Sequence, residues 1–140
     1  MTALTFTAGK ISADQTHGSI IRSYVAAETV GIGDVVALDS DGKLVLADGN
    51  GTWEEALAVG IVVSSASMYG ETSIAAGQVA GVCVFGPVYG FYGMTPGSYG
   101  YVSDTAGDLD DAPSATNGFV VGRVHAADVF FVNCGVTEAS

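Results

Sequence analysis

The sequence predicts an all-β fold, a small β-barrel or sandwich of about ten short strands. Its apolar segments are short, rich in Val, Ile, Phe and Tyr, and bounded by Gly, Asp, Asn or Ser, which is the pattern of strands and turns. Glycine accounts for 20 of the 140 residues, and turn signals recur at intervals typical of barrels and sandwiches. A chain of this length forms one domain that can bury a core without disulfides or metals.

The candidate strands follow one another with short connections. In chain order they are Leu4–Thr7, Ser19–Ala26, Asp34–Leu38, Lys43–Leu46, Ala58–Ser64, Thr72–Ala75, Ala80–Val88, Tyr99–Ser103, Gly118–His125 and Val129–Asn133. Between the third and fourth, Asp39-Ser40-Asp41-Gly42 predicts a hairpin, because Asp and Ser favour the start of a turn and glycine supplies a positive φ.

We expect at most one short helix. Thr52-Trp53-Glu54-Glu55 matches the S/T-x-x-E capping box that begins helices. Gly60 and the β-branched residues Ile61-Val62-Val63 follow closely, so the helix should end after about one turn.

The chain divides into three parts. Residues 1–19 contain a small, polar and weakly periodic stretch, which predicts an extended N-terminal arm that a partner would order. Residues 20–134 carry the strand pattern and predict a single β-barrel domain, and residues 135–140 predict a flexible tail.

Two segments 62–65 residues apart form a weak internal repeat. Each begins with a glycine before a strand, continues through an acidic glycine turn, and ends with a strand that has a central glycine. Those central glycines are Gly60 in Val59-Gly60-Ile61 and Gly122 in Val121-Gly122-Arg123. Two related β motifs packed face to face are one explanation, and chance repetition in a glycine-rich β protein is the other.

Charge excludes several classes of partner. The chain has 4 Lys and Arg against 15 Asp and Glu, for a net charge of −11. We therefore expect no nucleic-acid binding, which depends on basic residues, and no attachment to anionic membranes. The sequence has neither an apolar run long enough to span a bilayer nor a signal-peptide pattern. This indicates synthesis in the cytosol.

No motif indicates catalysis, so we expect a protein that is not an enzyme and has no cofactor and no metal. The histidines are His17 and His125, and neither belongs to a nucleophile motif. The acidic turns at Asp39–Gly42 and Asp108–Asp111 offer carboxylates, but the first departs from the EF-hand pattern and is better explained as a solvated hairpin turn. Calcium binding there is left open.

Both cysteines, Cys83 and Cys134, lie within apolar runs. The residues around them favour two buried thiols that act as small hydrophobic side chains. A disulfide between their strands is the alternative, which spacing alone does not decide.

The segment Phe85–Tyr101 alternates aromatic residues with glycines. Its rings either close one end of the core or form an exposed anchor patch, since Tyr and Phe are enriched at interface centres. Together with the N-terminal arm, this segment supplies the candidate interface residues. They are Thr7, Lys10, Ile11, His17, Tyr89, Phe91, Tyr92, Met94 and Tyr99.

The order of these motifs resembles the small β-barrel capsid decoration (cement) and head-fibre proteins of tailed bacteriophages. The resemblance spans Val30–Asn133 and rests on the Gly-Asp-Val-Val strand at Gly33, the Asp-x-Asp-Gly turn, Val82-Cys83-Val84-Phe85-Gly86-Pro87-Val88, and Gly97-Ser98-Tyr99-Gly100-Tyr101-Val102. It implies a structural virion protein that binds the outer surface of a phage capsid and stabilises it. Its partner would be the major capsid protein, its oligomer a homotrimer and its location the capsid exterior.

The alternative function is a glycan- or receptor-binding β module of a virion fibre. Exposure of Trp53, Tyr89, Phe91 and Tyr92 on one concave face would favour it.

Overall fold

The computed structural model of the chain describes residues 3–7, 10–65 and 72–134 and confirms the all-β prediction. Its strands are β1 (Thr5–Phe6), β2 (Ser12–Ala13), β3 (Ile20–Val25), β4 (Val30–Gly31), β5 (Val35–Leu38), β6 (Leu44–Leu46), β7 (Ala58–Ser65), β8 (Ser73–Ile74), β9 (Val79–Tyr89), β10 (Phe91–Tyr92), β11 (Tyr99–Val102), β12 (Leu109–Asp110), β13 (Val120–Ala126) and β14 (Val129–Asn133). An α-helix, α1, spans Trp53–Ala56, and a 3₁₀ turn spans Gln15–His17. Among the described residues, no helix has the length and apolarity needed to cross a membrane.

The strands form one large antiparallel sheet and two small pairs. The main sheet runs in the order β12-β11-β13-β14-β9-β7-β5-β6, and β2 and β3 also pair with β9. The small pairs are β1–β10 and β4–β8. The Gly107 N–H donates to the Ala47 carbonyl at 2.9 Å, and the Val35 N–H donates to the Gly107 carbonyl at 2.8 Å. These bonds join the turn between β11 and β12 to the β5–β6 end, so the sheet curls into a half-barrel and this turn bridges its two ends.

The central strands are buried on both faces. In β5, Val35 and Ala37 belong to one core cluster and Val36 belongs to a second, because successive side chains of a strand point to opposite faces. Phe130 and Ile61 lie in the first cluster, and Leu44 lies in the second. This explains why the sequence shows continuous apolar runs at Val35–Ala37 and Ile61–Val63 instead of strict alternation.

Helix α1 begins with the predicted capping box. The Thr52 hydroxyl accepts the Glu55 backbone N–H at 3.3 Å, and Glu55 Oε1 accepts the Thr52 N–H at 3.0 Å. The helix ends after Ala56, which is fully buried. The described residues contain one short α-helix, so the prediction of at most one short helix is confirmed.

The extended N-terminal arm is not confirmed. Within residues 1–19, β1 pairs with β10 and β2 pairs with β9. Ile11 and Ser19 are buried, and the Ser19 hydroxyl donates to the Pro87 carbonyl at 2.8 Å. The described part of this segment therefore packs on the barrel. The predicted tail at 135–140 lies outside the described residues, and the division into parts stays a prediction.

Steric contact explains the central glycine of each repeat copy. A Cβ placed on Gly60 would lie 2.1 Å from the Cys83 carbonyl oxygen, and one on Gly122 would lie 2.0 Å from the Phe131 carbonyl oxygen. Gly60 is in β7 beside β9, and Gly122 is in β13 beside β14. Each glycine therefore permits a close approach of neighbouring strand backbones.

Both cysteines are free thiols in the structure. Cys83 is fully buried, and its Sγ lies 3.4 Å from the Phe85 carbonyl oxygen. Burial raises the pKa of the Cys83 thiol to about 11 and that of the Cys134 thiol to about 12. Both side chains thus stay protonated near neutral pH and behave as hydrophobic groups.

Asp34→Asn should raise the melting temperature at pH 7 by a few degrees at most. Burial, followed by the nearby Asp108 charge, raises the pKa of Asp34 above its ordinary 3.8, so the folded state loses stability as pH rises through that pKa. Asparagine removes the charge and can still accept the Gly31 N–H that Asp34 Oδ2 accepts at 2.8 Å. Because the carboxyl group is only partly buried, solvent screening keeps the gain small.

Thermal unfolding of both proteins from pH 7 down to pH 4 measures this difference. The advantage of the variant should shrink as pH falls toward 3.8, because the folded-state carboxyl group, with its raised pKa, gains its proton and loses the charge that burial disfavours. A variant that is less stable than the wild type across the whole range would contradict the expectation.

Candidate interaction surface

Exposed aromatic and apolar side chains lie next to one another on neighbouring strands of the barrel. Phe85, Tyr99 and Ile20 are 41%, 44% and 47% exposed, and they come from β9, β11 and β3. Between them, β13 and β14 contribute Arg123, His125 and Phe131. We call this surface the aromatic strip, and its residues are Ile20, Phe85, Tyr99, Arg123, His125 and Phe131.

Contacts between neighbouring rings hold the centre of the aromatic strip in place. The Phe85 and Phe131 rings meet edge to face with centroids 5.1 Å apart, and His125 stacks on Phe131 at 4.7 Å. Ile20 pairs with Phe85 across β3 and β9. Such ring pairs stabilise by about 0.5–1.5 kcal/mol beyond the area that they bury, so this surface is preorganised for contact with a partner.

A cation–π contact fixes the end of the aromatic strip that contains Tyr99. The Arg123 guanidinium lies 5.3 Å from the centre of the Tyr99 ring and donates to the Gly97 carbonyl at 3.2 Å. Arg123 and Tyr99 also pair across β13 and β11. These two contacts fix the position of the guanidinium, whose remaining donors can meet a partner's carboxylate.

The composition of the aromatic strip differs from that of the whole chain. It contains no carboxylate and includes Arg123 and His125, whereas the chain has a net charge of −11. Interface cores are depleted in Asp and Glu and enriched in aromatic residues and Arg. The aromatic strip therefore has the composition of a protein-binding surface.

The predicted interface residues are divided between the core and the surface. Ile11, Phe91 and Met94 belong to the main core cluster, and the Phe91 ring packs against Phe6 at 5.7 Å and Phe130 at 5.9 Å. These three side chains are part of the core and are not available to a partner in the folded chain.

The remaining predicted residues are wholly or partly accessible. Tyr92 is 55% exposed on β10, Tyr89 is partly buried on β9, and Tyr99 lies in the aromatic strip. Thr7, Lys10 and His17 are exposed, and His17 Nδ1 lies 2.5 Å from Asp14 Oδ2. That histidine lowers the pKa of the Asp14 carboxyl. Of the predicted set, only Tyr99 belongs to the aromatic strip.

Sequence reasoning missed the other members of the aromatic strip. Phe85 lies inside the aromatic segment Phe85–Tyr101 but is not one of the predicted interface residues. Ile20 lies in the predicted strand Ser19–Ala26 and is not one of them either. The alternation of buried and exposed residues along β13 and β14 could have revealed the outward-facing side chains, because Val124 and Phe130 are buried whereas His125 is exposed. That alternation identifies outward residues, but which strands are neighbours becomes visible only in the fold.

The described residues contain no candidate metal centre. In the ranges 3–7, 10–65 and 72–134, no three His, Cys, Asp or Glu side chains are placed to hold a metal ion together.

A curled antiparallel barrel with a preorganised aromatic surface defines a small β protein suited to protein–protein contact. A family described as structural cement protein (E217 gp24/Pam3 gp6) matches residues 3–135. The chain belongs to this phage structural cement protein family, as the order of its motifs indicated. Comparison with curated proteins and with solved structures gave no match.

Proposed function

We propose that this structural phage protein binds the outer surface of the capsid through the aromatic strip and stabilises the shell. Family membership supports a structural role in the virion and contact with the capsid. We choose the aromatic strip as the docking surface because Phe85, Phe131 and His125 form a packed cluster without carboxylates on a strongly acidic chain. The partner is the major capsid protein, and the protein reaches the capsid exterior after synthesis in the host cytoplasm.

The physical basis of shell stabilisation is multivalency. Each copy contributes a modest apolar contact, and many copies on one shell combine these contacts. The net charge of −11 keeps free copies soluble and apart. Neither a membrane nor a nucleic acid is needed as a partner.

Replacing Phe85 and Phe131 together with serine should reduce binding to undecorated capsids at least about tenfold. The substitution removes two aromatic anchors, and anchors of this kind carry most of the binding energy of an interface. Co-sedimentation with capsids that lack the protein measures binding, and the heat resistance of the decorated shells measures stabilisation.

Leu57→Ser is the matched control, since Leu57 is an exposed apolar residue outside the aromatic strip. It should bind as the wild type does. If the double serine variant keeps its fold and its full affinity for capsids, the aromatic strip is not the docking surface. If the wild type fails to bind its own phage's capsids, the proposed function itself is wrong.

We also propose that the protein is a homotrimer, as the family resemblance implies. Analytical ultracentrifugation of the free protein tests this separately from capsid binding. A single trimeric species supports the proposal, and a monomer at all concentrations contradicts it.

The glycan- or receptor-binding alternative required four exposed rings on one concave face. Trp53 is 50% exposed and Tyr92 is 55% exposed, but Phe91 is only 2% exposed and lies in the core. This arrangement does not favour the alternative.

A further inference from the structure

An acidic groove lies between the β5–β6 hairpin and helix α1, and the aromatic strip shares no residue with it. Its volume is ≈ 470 Å³. Two partly buried aliphatic side chains and four carboxylates line it; these are Leu38 and Val45, with Glu28, Asp39, Glu54 and Glu55. An aliphatic floor with carboxylates around it is the arrangement that matches a cationic ligand with an apolar centre.

Backbone donors hold three of these carboxylates in fixed positions. Glu28 Oε2 accepts the Leu46 N–H at 3.0 Å, and Glu55 Oε1 accepts the Thr52 N–H at 3.0 Å. Asp39 Oδ1 accepts the N–H groups of the hairpin turn, including that of Lys43 at 2.9 Å. These neutral donors orient the carboxylates without cancelling their charge. The bond from the Thr52 N–H in fact lowers the pKa of Glu55.

Among the described residues, no Lys or Arg side chain forms an ion pair with these carboxylates. The ion pair found among the described residues joins His17 to Asp14, outside this groove. Lys43 follows the hairpin turn, and its backbone N–H donates a hydrogen bond to Asp39 Oδ1. The groove therefore presents four carboxylates around a partly buried aliphatic floor to an external cation.

We propose that this acidic groove binds a short peptide segment in which one aliphatic residue is flanked by lysine or arginine. The aliphatic side chain would pack on Leu38 and Val45, while the flanking cations face the carboxylates of Glu28 and Glu54. Charge complementarity selects this occupant over an acidic or purely apolar segment. The inference does not rest on the proposed cement function, because the aromatic strip lies on β3, β9, β11, β13 and β14, separate from this groove.

Fluorescence anisotropy with the full-length protein tests the proposal. The probe is a labelled peptide with one leucine between two pairs of lysines, and a companion peptide has serine in place of leucine. The leucine peptide should bind the wild type at least fivefold more tightly than the serine peptide. Added salt should weaken both.

Glu54→Lys should weaken binding of the leucine peptide at least tenfold. Glu54 is exposed on α1, so the variant should retain its fold, which thermal unfolding verifies. Asp128→Lys is the charge-matched control, since Asp128 is an exposed carboxylate in the turn between β13 and β14. It should bind the peptide as the wild type does.

Two results would overturn the proposal. Equal loss of affinity in Glu54→Lys and Asp128→Lys would show attraction to the overall negative charge alone. Equal affinity for the leucine and serine peptides would show that the aliphatic floor is not used. Capsid co-sedimentation of Glu54→Lys, run in parallel, reports on the cement function independently of either result.

Discussion

Phe130→Ala should lower the free energy of unfolding by about 3–5 kcal/mol, the range for truncating a fully buried phenylalanine. Phe130 is 0% exposed and is the largest fully buried side chain of the described residues. Its ring packs against Phe91 at 5.9 Å and fills the space beside Gly100, where a Cβ would lie 2.5 Å from it. The resulting cavity would lie between β9, β11 and β14, in the centre of the main core cluster. Urea unfolding measures the loss.

Phe131→Ala is the matched control because it removes the same side chain from the next residue of β14. Phe131 is partly exposed and loses its ring contacts with Phe85 and His125, so the expected cost is about 1 kcal/mol. Capsid affinity should show the opposite order, with the larger loss in Phe131→Ala. Equal losses of stability in the two variants would contradict the assignment of Phe130 to the core and Phe131 to the surface.

Gly122→Ala and Gly60→Ala should each cost at least about 3 kcal/mol, at or beyond the upper end of ordinary overpacking. The added methyl group would meet the backbone oxygen of Phe131 or Cys83 at about 2 Å. A backbone carbonyl held in a sheet cannot rotate away as a side chain can. The strands must therefore separate, which weakens the hydrogen bonds between β13 and β14 or between β7 and β9. Thermal and urea unfolding measure both variants.

Gly31→Ala provides the comparison within a strand. A Cβ at Gly31 would have its nearest contact at 3.4 Å, with Asp34 Oδ2, and its expected cost is below about 1 kcal/mol. If Gly60→Ala and Gly122→Ala unfold at the same urea concentration as Gly31→Ala, the close backbone approach is not what keeps these positions as glycine.

Much of the fold could be predicted because its signals are local. The turn at Asp39–Gly42 and the capping box at Thr52–Glu55 each depend on residues that are adjacent in sequence. All ten predicted strands overlap strands of the structure. The sequence also singled out Gly60 and Gly122 as central strand glycines, but the physical reason for glycine there, the close approach of a neighbouring backbone, required knowledge of the partner strands.

The remaining features depend on contacts between distant parts of the chain. The strands β2, β4, β10 and β12 have two residues each, which is too short for any periodicity to reveal them. Polar composition in residues 1–19 predicted an arm, but pairing of β2 with β9 and burial of Ile11 are tertiary effects. The aromatic strip likewise joins Ile20 to residues more than a hundred positions away.

Cryo-electron microscopy of capsids decorated with this protein tests the central claim most directly. We expect density for this protein on the outside of the shell, with Phe85, Phe131 and His125 covered by the major capsid protein. Density on the capsid exterior with these side chains facing solvent would contradict the proposed docking surface. Shells that stay undecorated at saturating protein would contradict the proposed function as a whole.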